Sequence, residues 1–261
     1  MSSDFDLPRI GAAYARVLAD EGVNLALTYN SSKDRADKLR TQLIDTHGSD
    51  LRLSLHRVDL AKLEDIQKLF KEIELEHEQP VEILVPNAGF SKRIADIEDI
   101  ELDDFEYTHN VNLRAPYMLV KHFVPGIKSR RWGRIIFVSS IAAHRGGVNG
   151  CRQFPTNSCS GILCSANKKP SDYAASKGGL TGMMKNLSAR LAPSNISVND
   201  VSPALIGNTG VLPAAQYIPN IVRSIPLGRL GEPEEVAEVV RMFAKSGYVT
   251  GQSLIAGGGL K

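Results

Sequence analysis

Apolar residues recur along this chain with two periods, and the alternation between them sets the expected architecture. In residues 9–21, Ile10, Ala13, Val17 and Leu18 fall on one face of a helix, and Gly22 ends it. Residues 33–46, 61–77, 102–129, 172–191 and 233–244 also read as helices. Within 61–77 the stripe is Leu63, Ile66, Leu69, Phe70 and Ile73, and the segment 233–244 opens on Pro233, which suits a first helical turn. Short apolar or alternating runs at 23–29, 51–57, 81–85, 134–138, 196–201 and 253–256 read as strands. Strands separated by such helices predict βαβ units with right-handed crossovers, hence an α/β fold with a parallel sheet covered on both faces. No repeat or low-complexity linker divides the chain, so one domain over residues 1–261 is expected. Ligands of such a sheet bind beyond the carboxyl ends of its strands, and the candidate chemistry is sought there.

Composition narrows the classes. The chain has 261 residues, 43% of them hydrophobic and 23% charged, which is close to an ordinary soluble globular protein. A net charge of +2 argues against a nucleic-acid partner. The basic run Lys128, Arg130, Arg131 and Arg134 around Trp132 reads as a solvated turn before a strand. No run approaches the ~18 apolar residues of a membrane span, and the first residues carry no signal-peptide pattern, so a cytoplasmic location without a membrane partner is expected. The cysteines, Cys151, Cys159 and Cys164, are odd in number and fit no zinc spacing, so neither a disulfide framework nor a metal site is expected.

Tyr173 and Lys177 stand four apart on one helix face. A phenol with a pKa of about 10 is a poor acid–base at neutral pH, and a neighbouring ammonium is expected to lower it. The pair then suits proton exchange with a carbonyl or alcohol oxygen. Ser139 and Ser140 follow the buried run 134–138, where a hydroxyl would polarise a substrate oxygen. Asn87, Ala88 and Gly89 end another strand in a small-residue turn that lets a ligand approach the backbone. Asn112 is a polar residue on a mostly apolar helix face, Asp59 follows the run 51–57, and Pro203 with Ala204 ends the run 196–201.

In this order, Asn87-Ala88-Gly89, Asn112, Ser140, Tyr173 with Lys177, and Pro203-Ala204 resemble the short-chain dehydrogenase/reductase family, closest to its 3-oxoacyl-carrier-protein reductase-like members. The likeness runs from about Ile10 to Gly259. It implies a Rossmann-like doubly wound sheet and a reversible reduction of a small-molecule carbonyl to an alcohol. Tyr173 would be the acid–base, Lys177 would lower its pKa and hold the nicotinamide ribose, and Ser140 would orient the substrate oxygen. Asn112 would hold a water of the proton relay. Ile10 and Gly11 would meet the cofactor at the first helix, Asp59 and Leu60 would flank the adenine, and Asn87, Ala88 and Gly89 would line its ribose. Pro203, Ile206 and Thr209 would lie by the nicotinamide. The resemblance also implies a homodimer or homotetramer paired through the helices 102–129 and 172–191. An NAD site places an acid after the second strand. Here Tyr29 is followed by Asn30, Ser31, Ser32 and Lys33, which suit a 2′-phosphate, so NADP(H) is expected rather than NAD.

Two departures from the family pattern stand out. The family opens on a buried strand and a glycine-rich turn at the pyrophosphate, whereas here only Ile10 and Gly11 match its end. A missing first strand would leave two neighbouring strands with unpaired edges and a gap in the core. Ser140 and Tyr173 are also 33 residues apart (140 to 173), against about a dozen in the family, because an insert at about 151–171 without helix or strand period holds every cysteine. The insert reads as a retained intron or as a substrate lid. Weak cofactor binding is expected as a consequence, and the alternative to an enzyme is a truncated, non-catalytic scaffold subunit.

Overall fold

The computed structural model describes residues 9–92, 94, 96–146, 171–209, 212 and 215–260. The expected insert and the segment preceding the first helix therefore lie outside the described residues. Helices and strands alternate: α1 Arg9–Asp20, β1 Leu25–Tyr29, α2 Lys33–His47, β2 Leu53–Arg57, α3 Leu63–His77, β3 Ile83–Leu84, α4 Leu102–His109, α5 Ala115–Arg130, β4 Gly133–Val138, α6 Ala142–Arg145, α7 Ser171–Leu191, β5 Ile196–Pro203, α8 Pro219–Arg223, α9 Pro233–Lys245 and β6 Ser253–Ala256. All the strand pairs are parallel, as the alternation predicts.

The period-2 geometry of a strand sends successive side chains to opposite faces, and β4 shows the result. Ile136 and Val138 join α1, α2 and α9 in one core, with Ala13, Leu18, Leu39, Val236 and Phe243. Ile135 and Phe137 join α3, α5 and α7 in the other, with Ile66, Leu69, Phe123, Leu180 and Met184. The fold is thus three-layered, with helices on both faces of parallel strands. No helix among the described residues is long and apolar enough to cross a membrane.

The strands form two separate sheets, β1-β2 and β3-β4-β5-β6. Among the described residues no strand precedes α1, and no backbone hydrogen bond joins β1 to β3. A cavity of about 610 Å³ is lined by residues 22–30 on one side and 79–90 on the other. The expected strand 81–85 accordingly shortens to Ile83–Leu84, which among the described residues has a ladder partner on one edge only. The expected helix 102–129 is broken by a π-helical turn at Asn110–Arg114, in which the Ala115 N–H reaches back to the Asn110 carbonyl. Pro116, next in line, has no N–H to bond the Asn112 carbonyl, so the regular ladder has no donor there.

Candidate active site

The carboxyl ends of β3 and β4, the π-helical turn and the first turns of α7 bring four of the expected residues together. The Ser140 hydroxyl accepts the Ala142 N–H at 3.1 Å, which leaves its own proton for the Tyr173 phenol, and the two side chains are hydrogen-bonded. Ser139 points elsewhere: its hydroxyl donates to the Lys177 carbonyl at 3.1 Å and ties β4 to α7. Lys177 is almost fully buried at 3% exposure. Its ammonium donates to the Val138 carbonyl at 2.8 Å and lies 6.0 Å from the centre of the Tyr173 ring.

Asn112 is wholly buried in the π-helical turn, a type of bulge frequent at functional sites. Its Nδ2 donates to the Phe90 carbonyl at 2.8 Å and to Ser176 Oγ at 3.0 Å, and its Oδ1 accepts the Phe90 N–H at 2.7 Å. The amide therefore staples the loop after β3 to α7. Gly89 sits in this loop. A Cβ on it would lie 3.3 Å from Lys177 Nζ and 3.7 Å from Asn112 Oδ1, so the backbone comes up to the ammonium with no side chain between.

The phenol corrects one expectation. Burial holds the pKa of Tyr173 above its ordinary value, and the Ser140 hydrogen bond offsets this only in part. The Lys177 ammonium was expected to lower it, but its charge is directed to the Val138 carbonyl and stands 6.0 Å from the ring centre. The protonated phenol is the form this environment favours.

Of the residues expected at a cofactor, Gly11, Asn30, Asp59, Leu60, Asn87, Ala88 and Gly89 line the 610 Å³ cavity. They come from the start of α1 and the carboxyl ends of β1, β2 and β3, which is the placement the resemblance implies. Asp59 is also structural: its N–H donates to Asp65 and its carboxylate accepts the Ala61 N–H at 3.0 Å, shaping the turn into α3. Ile10, Ser31, Pro203, Ile206 and Thr209 do not line this cavity. Ile10 packs with the α1 side of the core. Pro203 ends β5, Ile206 bridges to Gly231, and the Thr209 hydroxyl donates to the Ile206 carbonyl at 3.2 Å.

Lys33, one of the groups read as a phosphate partner, is paired to Asp37 at 2.5 Å one turn along α2. Two cations that sequence reasoning missed stand beside this turn. Arg35 donates to Ser32 Oγ at 2.6 Å, and Arg57, at the end of β2, donates to the Asn30 carbonyl at 3.2 Å. Tyr14, Ser176 and Phe90 were missed as well. Tyr14 looked like an ordinary helix residue, and the other two act through contacts far apart in sequence. Among the described residues no group of three or more His, Cys, Asp or Glu is placed to hold a metal ion.

Comparison with known proteins agrees with this geometry. A family model described as short chain dehydrogenase matches residues 9–152, and one described as Enoyl-(Acyl carrier protein) reductase matches residues 156–261. The 3-oxoacyl-[acyl-carrier-protein] reductase FabG of Aquifex aeolicus is 31% identical over 257 residues, covering 96% of this chain and 92% of that protein. An acetoacetyl-CoA reductase of Shinella zoogloeoides is 27% identical over 254 residues, covering 96% and 93%. Among solved structures, a blue fluorescent protein from a metagenomic library, in complex with NADPH, superposes with a TM-score of 0.78 at 30% identity and covers 96% of this chain and 92% of its own. A parallel α/β fold, a serine–tyrosine–lysine–asparagine cluster beyond its strands and relatives matched over nearly their whole length have one common explanation: the chain belongs to the short-chain dehydrogenase/reductase family of oxidoreductases.

Proposed function

We propose that this chain is a reversible, NADP(H)-dependent reductase that converts a small-molecule ketone to an alcohol. The observation that carries the reading is the Ser140–Tyr173 hydrogen bond, set beside a buried Lys177 whose ammonium the Gly89 backbone approaches closely. The bound nicotinamide would supply or accept the hydride. The chain's own residues manage the proton and the geometry. Tyr173, kept protonated by burial, donates to the carbonyl oxygen as it gains charge, and Ser140, whose one proton turns from the phenol when substrate binds, donates a second hydrogen bond to the same oxygen. Lys177 is anchored at the Val138 carbonyl and would hold the ribose. Asn112, whose Nδ2 donors are both engaged, keeps the Phe90 loop in place and offers the free lone pair of Oδ1 to a relay water.

The cavity residues suit the adenosine half. Asp59 and Leu60 would flank the adenine, Asn87 to Gly89 its ribose, and Ile10 and Gly11 the phosphates. Pro203, Ile206 and Thr209 would flank the nicotinamide. Asn30 and Ser31, with the nearby Arg35 and Arg57, suit a 2′-phosphate, and the NADPH held by the metagenomic relative supports the same preference. Exposed Leu102, Phe105 and Tyr117 on α4 and α5 support a homo-oligomer formed through those helices.

The test follows NADPH absorbance with acetoacetyl-CoA and a panel of simpler ketones, using the parent chain and Tyr173→Phe. The variant should lose about 10²–10⁴-fold in kcat, the usual worth of a positioned acid–base. Equal turnover by the two proteins would refute the assignment. The rival reading, a non-catalytic scaffold, draws on the split sheet and on the sequence, in which only Ile10 and Gly11 match the end of the family's glycine-rich turn. It predicts no NADPH fluorescence change with either protein.

A further inference from the structure

The π-helical turn Asn110–Arg114 carries a second side chain that reaches across the fold. Asn112 holds the Phe90 loop and α7. Arg114, at the end of the same turn, donates from Nη2 to the Ala61 carbonyl, 53 residues back in the chain. Ala61 lies in the turn between β2 and α3. The ladder of α3 starts one residue later, where the Ile66 N–H reaches the Lys62 carbonyl at 3.3 Å, so the helix supplies no donor to Ala61. The turn is otherwise held by its own groups. The Asp59 N–H donates to Asp65 Oδ2 and the Ala61 N–H to Asp59 Oδ1, both at 3.0 Å, and the Lys62 N–H donates to the Asp59 carbonyl at 2.9 Å. Arg114 therefore ties a locally built turn to the turn that carries Asn112.

This tie is costly for the fold. Arg114 is half-buried, and its Nε is buried with no hydrogen-bond partner among the described residues. Taking a guanidinium out of water costs free energy that a single carbonyl offsets only in part, and a buried donor without a partner calls for a reason beyond stability. We propose that Arg114 is a positioning residue for the adenine half of the cofactor, which rests on the reading of Asp59 and Leu60 as the flanks of the adenine. Arg114 meets neither cofactor nor substrate. By fixing the Ala61 carbonyl it sets where Asp59 and Leu60 stand beyond the end of β2. Because Asn112 shares its turn, the adenine turn and the Phe90 loop are held in one register. Arginine suits this task better than lysine, since a planar, rigid head aims its donors whereas an ammonium swings on a flexible stem.

The experiment measures calorimetric binding of adenosine 2′,5′-bisphosphate, which carries the adenine and the 2′-phosphate but no nicotinamide, to the full chain and to Arg114→Ala and Arg114→Lys. The alanine variant should bind about tenfold more weakly, and the lysine variant about threefold more weakly, than the parent. Hydrogen exchange of the free alanine variant should quicken at the amides of residues 59–62 and stay at parental rates in β4 and α7. Equal affinity of the parent and the alanine variant would overturn the proposal. So would faster exchange throughout β4 and α7, which marks a general loosening, and so would a parent that does not bind the probe. If the alanine variant does not fold, the lysine variant decides, and parental affinity there overturns the proposal. A parent that binds the probe but reduces no ketone would sink the reductase reading and leave the role of Arg114 standing. An active parent whose variants bind the probe equally would sink the role of Arg114 alone.

Discussion

Replacing Tyr14 by phenylalanine deletes one oxygen and leaves the ring in the core. The side chain is 3% exposed among Leu18, Val236 and their neighbours, and its hydroxyl has no partner among the described residues. A buried polar group without a hydrogen bond costs about 1–3 kcal/mol. Tyr14→Phe should therefore stabilise the free protein by roughly 1–2 kcal/mol, and raise Tm by about 2–4 °C for each kcal/mol. Burial also holds the Tyr14 pKa well above that of an ordinary phenol. The sign is fixed: between about pH 10 and the folded value, the unfolded chain has lost a proton that the native state keeps, so stability falls by about 1.4 kcal/mol per pH unit. This contribution is fully present below pH 10 and is lost as pH rises. The variant lacks the group, so its advantage should widen by that amount per unit above about pH 10. Urea unfolding at pH 8, 9.5 and 11, followed by the fluorescence of the single tryptophan, Trp132, reads both effects. A variant less stable than the parent at pH 8, or an advantage that stays flat into alkali, would refute the reasoning.

Other substitutions probe the remaining contacts. Gly89→Ala places a methyl 3.3 Å from Lys177 Nζ, which must give by a few tenths of an ångström from its place at the Val138 carbonyl; turnover should drop about tenfold or more with Tm nearly unchanged, since a small misplacement at a reacting centre is costly. Asn112→Ala removes three hydrogen bonds of 2.7–3.0 Å inside the fold. A loss of about 2–4 kcal/mol in urea unfolding is expected, and a loss under about 0.5 kcal/mol would place the amide's partners in water instead. Glu235 takes two hydrogen bonds from Arg229 and one from the Glu232 N–H, which lower its pKa to about 2. Its contribution is present above the unfolded value of about 4.3 and disappears as pH falls toward 2, so Glu235→Gln should flatten the acid limb of a stability–pH curve, and an unaltered limb would count against the pairing.

The order of elements was legible in the sequence because periodicity is a local property. The stripe Ile66, Leu69, Phe70 and Ile73 is buried on α3 as its spacing required, and the run through Ile135 to Val138 became a central strand with its side chains divided between two cores. The residues expected beyond the strand ends were legible for the same reason: Asn30, Asp59 and Asn87 are each fixed by where a strand stops, and parallel pairing brings the ends to one cavity. What a side chain does there was not legible. Lys33 looked like a phosphate partner in one dimension, yet an aspartate one turn away engages it, while Arg57 reaches Asn30 across 27 positions. Tyr173 was read as a phenol activated by its lysine, but the burial that raises its pKa is supplied by the folded environment and not by the helix that carries it. The π-helical turn has a local reason in Pro116, but that Asn112 within it meets Phe90 and Ser176, 22 and 64 residues away, was likewise not legible. Sequence alone determined which segments would be helices and strands and which polar residues would stand at their ends, because those depend on neighbours along the chain. Tertiary structure decided protonation, pairing and the split between the sheets, because desolvation and hydrogen bonding depend on which distant segments share the same space.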